Sequence, residues 1–389
     1  MPRVQTGLSV FLENHHKYRH QNLGLLTNQA SVGPDYRHAL WHLDKILPGK
    51  IKTLFSPQHG FAGEKQDNMI ESPHSQTRDG RPIYSLYGET RQPKPFFLEG
   101  LEAVLVDLPD MGTRVYTFAQ TLSLFLEIAG QIGVEVVVLD RPNPIGGEIL
   151  EGNLLDPDCF SFVGLHQIPM RHGLTLGELA LYMNASQKKP APLTIVPVKN
   201  WQRKDFFPET SLPWVMPSPN LPTPETAILY PGSVIFEGTL VSEGRGTTRP
   251  FHLIGAPYID GELLAEVLNQ SRLPGVFFRP VTFLPNFQKW QGQVCGGIEI
   301  HILDKLTFRA YLTGLSILEK ILNIYPHHFQ LKDPPYEYEL TRRPIDLILG
   351  KTHIFSDLQT GVKATTLIES FACDILAFIQ ARKEFLLYP

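Results

Sequence analysis

Residues 134–139 carry four valines and close on Leu139, and then break into Asp140-Arg141-Pro142-Asn143-Pro144. Such a run needs apolar cover on both sides, which a sheet held between two helical layers supplies. Three earlier runs follow the same plan. Residues 23–27 end in Asn28-Gln29, residues 51–55 in Ser56-Pro57-Gln58-His59-Gly60, and residues 103–106 in Asp107-Leu108-Pro109-Asp110-Met111-Gly112. Between them lie stretches of helical period. Residues 36–47 place Ala39, Leu40, Leu43, Ile46 and Leu47 on one face and stop at Pro48-Gly49. A second stretch starts near Thr113 and presents Val115, Phe118, Leu122, Phe125, Leu126 and Ala129. This alternation predicts an α/β fold with a mostly parallel sheet. The polar clusters all fall at the carboxyl ends of the strands, the edge at which open α/β sheets bind ligands.

Farther along, Thr175-Leu176-Gly177-Glu178 reads as a capping box opening a helix through Met183. Residues 208–231 are rich in proline and weak in periodicity, so an ordered connector is expected there. After Pro250 a second, smaller α/β unit follows. It comprises a helix over 261–270, strands over 276–283 and 298–303, and helices over 306–324 and 363–385. The expected division is a larger domain over 1–235 and an auxiliary one over 236–389.

Composition excludes several classes. A net charge of -4 gives no electrostatic fit to nucleic acid or an anionic membrane. The three cysteines, Cys159, Cys295 and Cys373, are too few and too scattered for a disulfide framework or a zinc set. No apolar stretch reaches spanning length, and the first residues carry no signal-peptide pattern. A cytoplasmic location, as a monomer or homodimer, is expected of the sequence as given.

The chemistry concentrates in loops. Residues 241–251 hold Glu243, Arg245, Thr247, Thr248 and Arg249 around Gly244 and Gly246, with no apolar period to bury. A loop of this kind approaches a polar ligand rich in hydroxyl or anionic oxygens, or is a solvated turn. No dinucleotide fingerprint, phosphate loop, G-x-S-x-G elbow or H-E-x-x-H motif occurs, which argues against a nicotinamide cofactor and an ordinary α/β-hydrolase. His59 and His172 sit in strand-end loops as acid, sugar-binding or merely structural groups. Asp107, Asp110, Asp140, Glu151, Glu237 and Glu243 lie at strand ends or in loops, and carboxylates around a pocket suit glycoside hydrolysis. Asp140 has a structural reading as an ion pair with Arg141, and Asp110 as a helix cap.

These segments together resemble the exo-β-N-acetylmuramidases of peptidoglycan turnover, long known as a domain of unknown function. The likeness is carried by residues 24–30, 54–61, 82–88, 110–117 and 139–147. It continues through Pro169-Met170-Arg171-His172-Gly173, Pro217-Ser218-Pro219-Asn220, residues 242–251 and Cys295-Gly296-Gly297. The resemblance implies a Rossmann-like domain joined to a smaller α/β domain, with the site in the cleft between them. It further implies removal of N-acetylmuramic acid from the non-reducing end of peptidoglycan fragments without a cofactor. The family's usual Ser-Pro-Glu-His-Gly reads Gln58 here, at the leading catalytic position; Leu240 and His252 also depart from the family pattern, which carries Asn and often Glu there. An amide donates no proton to a leaving alkoxide, and losing a general acid costs about 10²- to 10⁴-fold in rate.

The roles that follow are expectations. His59, Glu243, Asp110 and Gln58 form the candidate catalytic set, with His59 as proton donor or donor to the 2-acetamido group. Glu243 or Asp110 would stabilise the oxocarbenium ion. Arg245, Arg249 or Arg171 would hold the lactyl carboxylate. Asn28, Arg114, Tyr116, Asp140, Arg141, Asn143, His172, Glu237, Thr247 and Thr248 complete the candidate binding set. Two rivals stand beside a hydrolase: a non-catalytic muropeptide or amino-sugar binder, favoured by Gln58, and a sugar-phosphate enzyme using the arginine-glycine loop.

Overall fold

The computed structural model describes residues 3–66 and 69–389. Met1 and Pro2, where the expected first domain begins, lie outside the described residues. A seven-stranded sheet is built from β1 (Leu23–Thr27), β2 (Ile51–Ser56), β3 (Ser75–Gln76), β4 (Pro82–Ser85), β5 (Ala103–Asp107), β6 (Glu135–Leu139) and β7 (Leu193–Val196). Its order is β3-β4-β2-β1-β5-β6-β7. Every pairing is parallel except that of the short edge strand β3 with β4.

Parity explains the apolar runs. Leu25, paired with Leu54 and Leu105, faces the helices Gly7–Asn14 and Ala39–Ile46 through Leu8, Phe11 and Leu43. Leu26, Phe55, Val104, Val106, Val136 and Val138 point the other way, onto Phe118, Leu122 and Phe125 of the helix Thr117–Ile132. Both faces are dry, so neither could alternate with polar residues. The chain leaves β1 in one direction for β2 and crosses to the other side for β5, which puts a topological switch between β1 and β5.

The second unit carries an antiparallel sheet of β8 (Leu253–Ala256), β9 (Val276–Phe283) and β10 (Cys295–Ile302), ordered β8-β10-β9. Ile254, Ile298 and Ile300 join the same apolar cluster as Val104 and Phe118, so the two sheets share one core. The helix Ala310–Ile324 crosses the helix Pro224–Ser233 with Gly232 against Gly314; a Cβ on Gly232 would fall 2.0 Å from the Ala310 carbonyl oxygen. The expected connector over 208–231 thus contains a helix. Pro224 stands in its first turn, where no N–H is needed, and Thr223 caps it. The helix expected from Thr113 begins at Thr117 instead. Thr113 bridges to Arg171, and the Arg114 N–H donates to the Met170 carbonyl, which holds residues 113–116 out of helical form. The long helix expected over 363–385 bends by 41° between Ala364–Ser370 and the following segment. Among the described residues no single helix is long and apolar enough to cross a membrane.

Candidate active site

The turn after β2 turns back on itself through His59 (φ +75°) and Gly60 (φ +81°). Left-handed backbone is uncommon for a residue with a Cβ, and it holds the Gln58 and His59 side chains inward, both buried. The Thr117 hydroxyl, at the start of its helix, donates to Gln58 Oε1 at 2.6 Å. His59 Nδ1 lies 2.9 Å from the Lys65 carbonyl oxygen. A carbonyl only accepts, so Nδ1 carries the proton and Nε2 keeps a lone pair. Burial, aided by the Arg245 charge, lowers the imidazole to about 4, which keeps the ring neutral near pH 7. A proton-donor role for His59 does not follow from that geometry.

Opposite this turn stands a chain of alternating charge. Glu237, in the 3₁₀ turn Val234–Gly238, receives Arg245 Nη2 at 2.5 Å and the Tyr336 hydroxyl at 2.8 Å. Arg245 Nε lies 3.1 Å from Glu243, whose other oxygen receives Lys289 Nζ at 2.6 Å. Burial penalises the Glu237 carboxylate, but Arg245 and Tyr336 outweigh it and hold the carboxyl below its ordinary value. The loop that presents Arg245 depends on Gly246 (φ +80°). Its missing side chain lets the 286–287 backbone approach; a Cβ would meet the Phe287 oxygen at 2.5 Å.

A third acid completes the group. Gln58 Nε2 donates to Glu337 Oε1 at 3.0 Å, and the Tyr87 hydroxyl to Glu337 Oε2 at 2.6 Å. Glu337 lies in no helix or strand and was not among the sequence candidates. Burial pushes its carboxyl up to about 7, against the hydrogen bonds from Tyr87 and Gln58 and with the help of the Glu237 charge. Gln58, His59, Tyr116, Glu237, Arg245 and Glu337 all line one small hollow, together with Tyr230, Phe251 and Tyr336.

The other candidates separate by place. Glu243 reaches this hollow only through Arg245. Asp110 and Arg141 line a neighbouring hollow, with Trp214, at the β1–β5 switch. Asp110 Oδ2 accepts the Gly112 N–H at 2.7 Å and faces His172 Nε2 at 3.4 Å. Arg141 pairs with Asp107 at 2.5 Å. Asp140 is enclosed by donors from Thr175, Gly177 and Tyr388, and burial lifts its carboxyl to about 6. Asn28 ties β1 to the Pro217 carbonyl, and Asn143 bonds the Leu174 carbonyl. Arg114 is wholly buried and donates to four carbonyls, at Asn153, Ile168, Ile348 and Leu349, which fastens the two units together. Arg171 is buried against Glu151, Thr247 closes its own turn onto Gly244, Thr248 is exposed, and half-buried Arg249 pairs with Glu299. Among the described residues no group of three His, Cys, Asp or Glu is placed to hold a metal.

Comparison with known proteins agrees with this arrangement of two units. The profile "Exo-beta-N-acetylmuramidase NamZ, N-terminal" matches residues 23–225, and its C-terminal counterpart matches 228–388. The chain belongs to the exo-β-N-acetylmuramidase NamZ family. The peptidoglycan beta-N-acetylmuramidase NamZ of Bacillus subtilis (strain 168) is 39% identical over 388 residues, covering 100% of this chain and 92% of that protein. A crystal structure of a DUF1343 family protein of Bacteroides fragilis NCTC 9343 superposes with a TM-score of 0.89 at 30% identity, covering 100% of this chain and 99% of that one. A second protein of that organism and family gives 0.79 at 25% identity with the same coverage. Glu337 sits directly against Gln58, the position where the resemblance leads to a glutamate being expected.

Glu337 was missed for a physical reason. Asp333-Pro334-Pro335-Tyr336-Glu337-Tyr338-Glu339 has neither strand nor helix period, and an acid in such a stretch reads as solvated. The one available signal was two prolines followed by alternating Tyr and Glu, where a polar turn would carry Gly, Asn or Asp.

Proposed function

We propose that the chain is an exo-acting glycoside hydrolase that releases N-acetylmuramic acid from the non-reducing end of peptidoglycan fragments in the cytoplasm. One observation carries the reading: a single small hollow holds two buried glutamates whose surroundings push their protonation in opposite directions. A pair of carboxyls separated in that way is what glycoside hydrolysis uses, one to give a proton and one to face developing positive charge. Arg245, the one permanent cation among the described residues lining the hollow, would meet the lactyl carboxylate, and His59 Nε2 would accept the acetamido N–H.

Gln58 favours one alternative, an amino-sugar binder on the same scaffold. Incubation with the muramic acid–N-acetylglucosamine disaccharide, read by chromatography beside calorimetry, separates the two. Equimolar release of both sugars is expected. Micromolar binding without products would replace the hydrolase by the binder, and tighter binding of a 6-phosphorylated sugar than of the free one would favour a sugar-phosphate enzyme.

A further inference from the structure

Glu337 occupies a two-residue hairpin. Tyr336 and Glu339 exchange both backbone hydrogen bonds at 2.9 Å, and the central residues Glu337 and Tyr338 both take left-handed backbone, at φ +46° and +68°. Turns of this kind are filled by Asn-Gly or Asp-Gly, because a Cβ in the left-handed region costs about 1–2 kcal/mol per residue. Two bulky residues hold that conformation here. The tip of an exposed hairpin would leave an acid in water, yet this one is turned inward and is only 3% exposed. Strain of this kind, held in place by its surroundings, gathers at functional positions.

The rival carboxyls are accounted for. Glu237 is fixed as an anion by Arg245, and Glu243 is clamped between Arg245 and Lys289. Asp110 lines the other hollow. Among the described carboxyls that line the hollow, Glu337 is the one with no cation bonded to it; its partners are the Gln58 amide and the Tyr87 hydroxyl. The charged and titratable groups around it include His59, Tyr87, Arg91, Tyr230, Glu237, Arg245, Tyr336, Tyr338 and Glu339.

We propose that Glu337 is the proton donor to the glycosidic oxygen, supplying from the second unit the carboxyl that Gln58 does not provide. This rests on the glycosidase reading above. In the step, the Glu337 carboxyl proton passes to the exocyclic oxygen as the C1–O bond breaks and its electron pair goes to that oxygen. The positive charge left at C1 faces the Glu237 carboxylate. A water oxygen then bonds to C1, and one of its protons returns to Glu337. Gln58 becomes a positioning residue. An amide turned end for end offers either its N–H₂ to a carboxylate or its oxygen to a carboxylic acid, and the Thr117 hydroxyl can reverse with it. The same neighbour therefore serves Glu337 in both protonation states.

The test compares two substrates in wild type and Glu337→Gln. The disaccharide has a poor leaving group that needs a proton; a 4-nitrophenyl muramide leaves as a stable phenolate and does not. For Glu337→Gln, kcat/KM on the disaccharide is expected to fall about 10²- to 10⁴-fold. The loss on the nitrophenyl substrate is expected to be at least ten times smaller, and the basic limb of the disaccharide profile near pH 7 should vanish. Equal losses on the two substrates would overturn the proposal, as would a fall of less than tenfold on the disaccharide. Should Glu337→Gln not fold, Glu337→Asp, which keeps the carboxyl but withdraws it by one methylene, must show the same split between substrates. A wild type inactive on both substrates would instead remove the glycosidase reading itself.

Discussion

Arg245→Met tests whether the site is held together by buried charge. Arg245 bridges Glu237 at 2.5 Å and Glu243 at 3.1 Å, and all three side chains are under one-tenth exposed. Breaking a buried pair by removing one partner costs about 3–5 kcal/mol, because the remaining charge is left uncompensated. Lys289 still neutralises Glu243 at 2.6 Å, so the carboxylate that loses its bonded cation is Glu237, which keeps the Tyr336 hydroxyl. The loss at pH 7 should therefore fall near the lower figure, about 3 kcal/mol. Its pH dependence has a definite sign. In the wild type the lowered Glu237 contributes stability above its unfolded value of 4.5, and this is lost as pH falls. In the variant burial loses its largest counterweight and raises the folded value against Tyr336 and Lys289, so stability is lost as pH rises. Both effects narrow the gap between the proteins in acid. Urea unfolding at pH 7 and pH 5 measures it, together with the double variant Arg245→Met/Glu237→Gln. A loss under about 1 kcal/mol at pH 7, the same loss at both pH values, or strict additivity in the double variant would refute the reasoning.

Other outcomes follow from the same geometry. Glu337 is raised from 4.5 to about 7, so it contributes stability below pH 4.5 that is lost as pH rises through 7, at most about 3 kcal/mol. Thermal melts should accordingly show wild type losing more stability than Glu337→Gln between pH 5 and pH 8. Gly246→Ala places a Cβ 2.5 Å from the Phe287 oxygen on a backbone at φ +80°, and should cost about 1–3 kcal/mol in urea unfolding while collapsing the loop that carries Arg245.

Where the chain obeyed a repeating rule, the sequence was legible. The valines of 134–139 sit in a sheet covered on both faces, and the Ser56-Pro57-Gln58-His59-Gly60 turn lies at its carboxyl edge. The Thr175–Glu178 capping box is present with both of its hydrogen bonds. Legibility failed where one residue served an unlisted geometry. Residues 208–231 were read as a connector although Pro224 opens a helix there, since first-turn N–H groups have no intrahelical partner to lose. Arg114 and Arg171 resembled binding groups because composition cannot distinguish a guanidinium aimed at a ligand from one aimed at backbone carbonyls or a buried glutamate. Glu337 reaches Gln58 from 279 positions away, a separation no local pattern encodes.

The account is tested most directly by the structure of the protein bound to a non-hydrolysable thio-linked muramic acid–glucosamine disaccharide. It predicts the muramyl ring in the hollow lined by Gln58, Glu237 and Glu337, with the bridging sulfur beside the Glu337 carboxyl and the lactyl group toward Arg245. A ligand seated instead in the neighbouring hollow against Trp214 and Asp110, with Glu337 untouched, would contradict it.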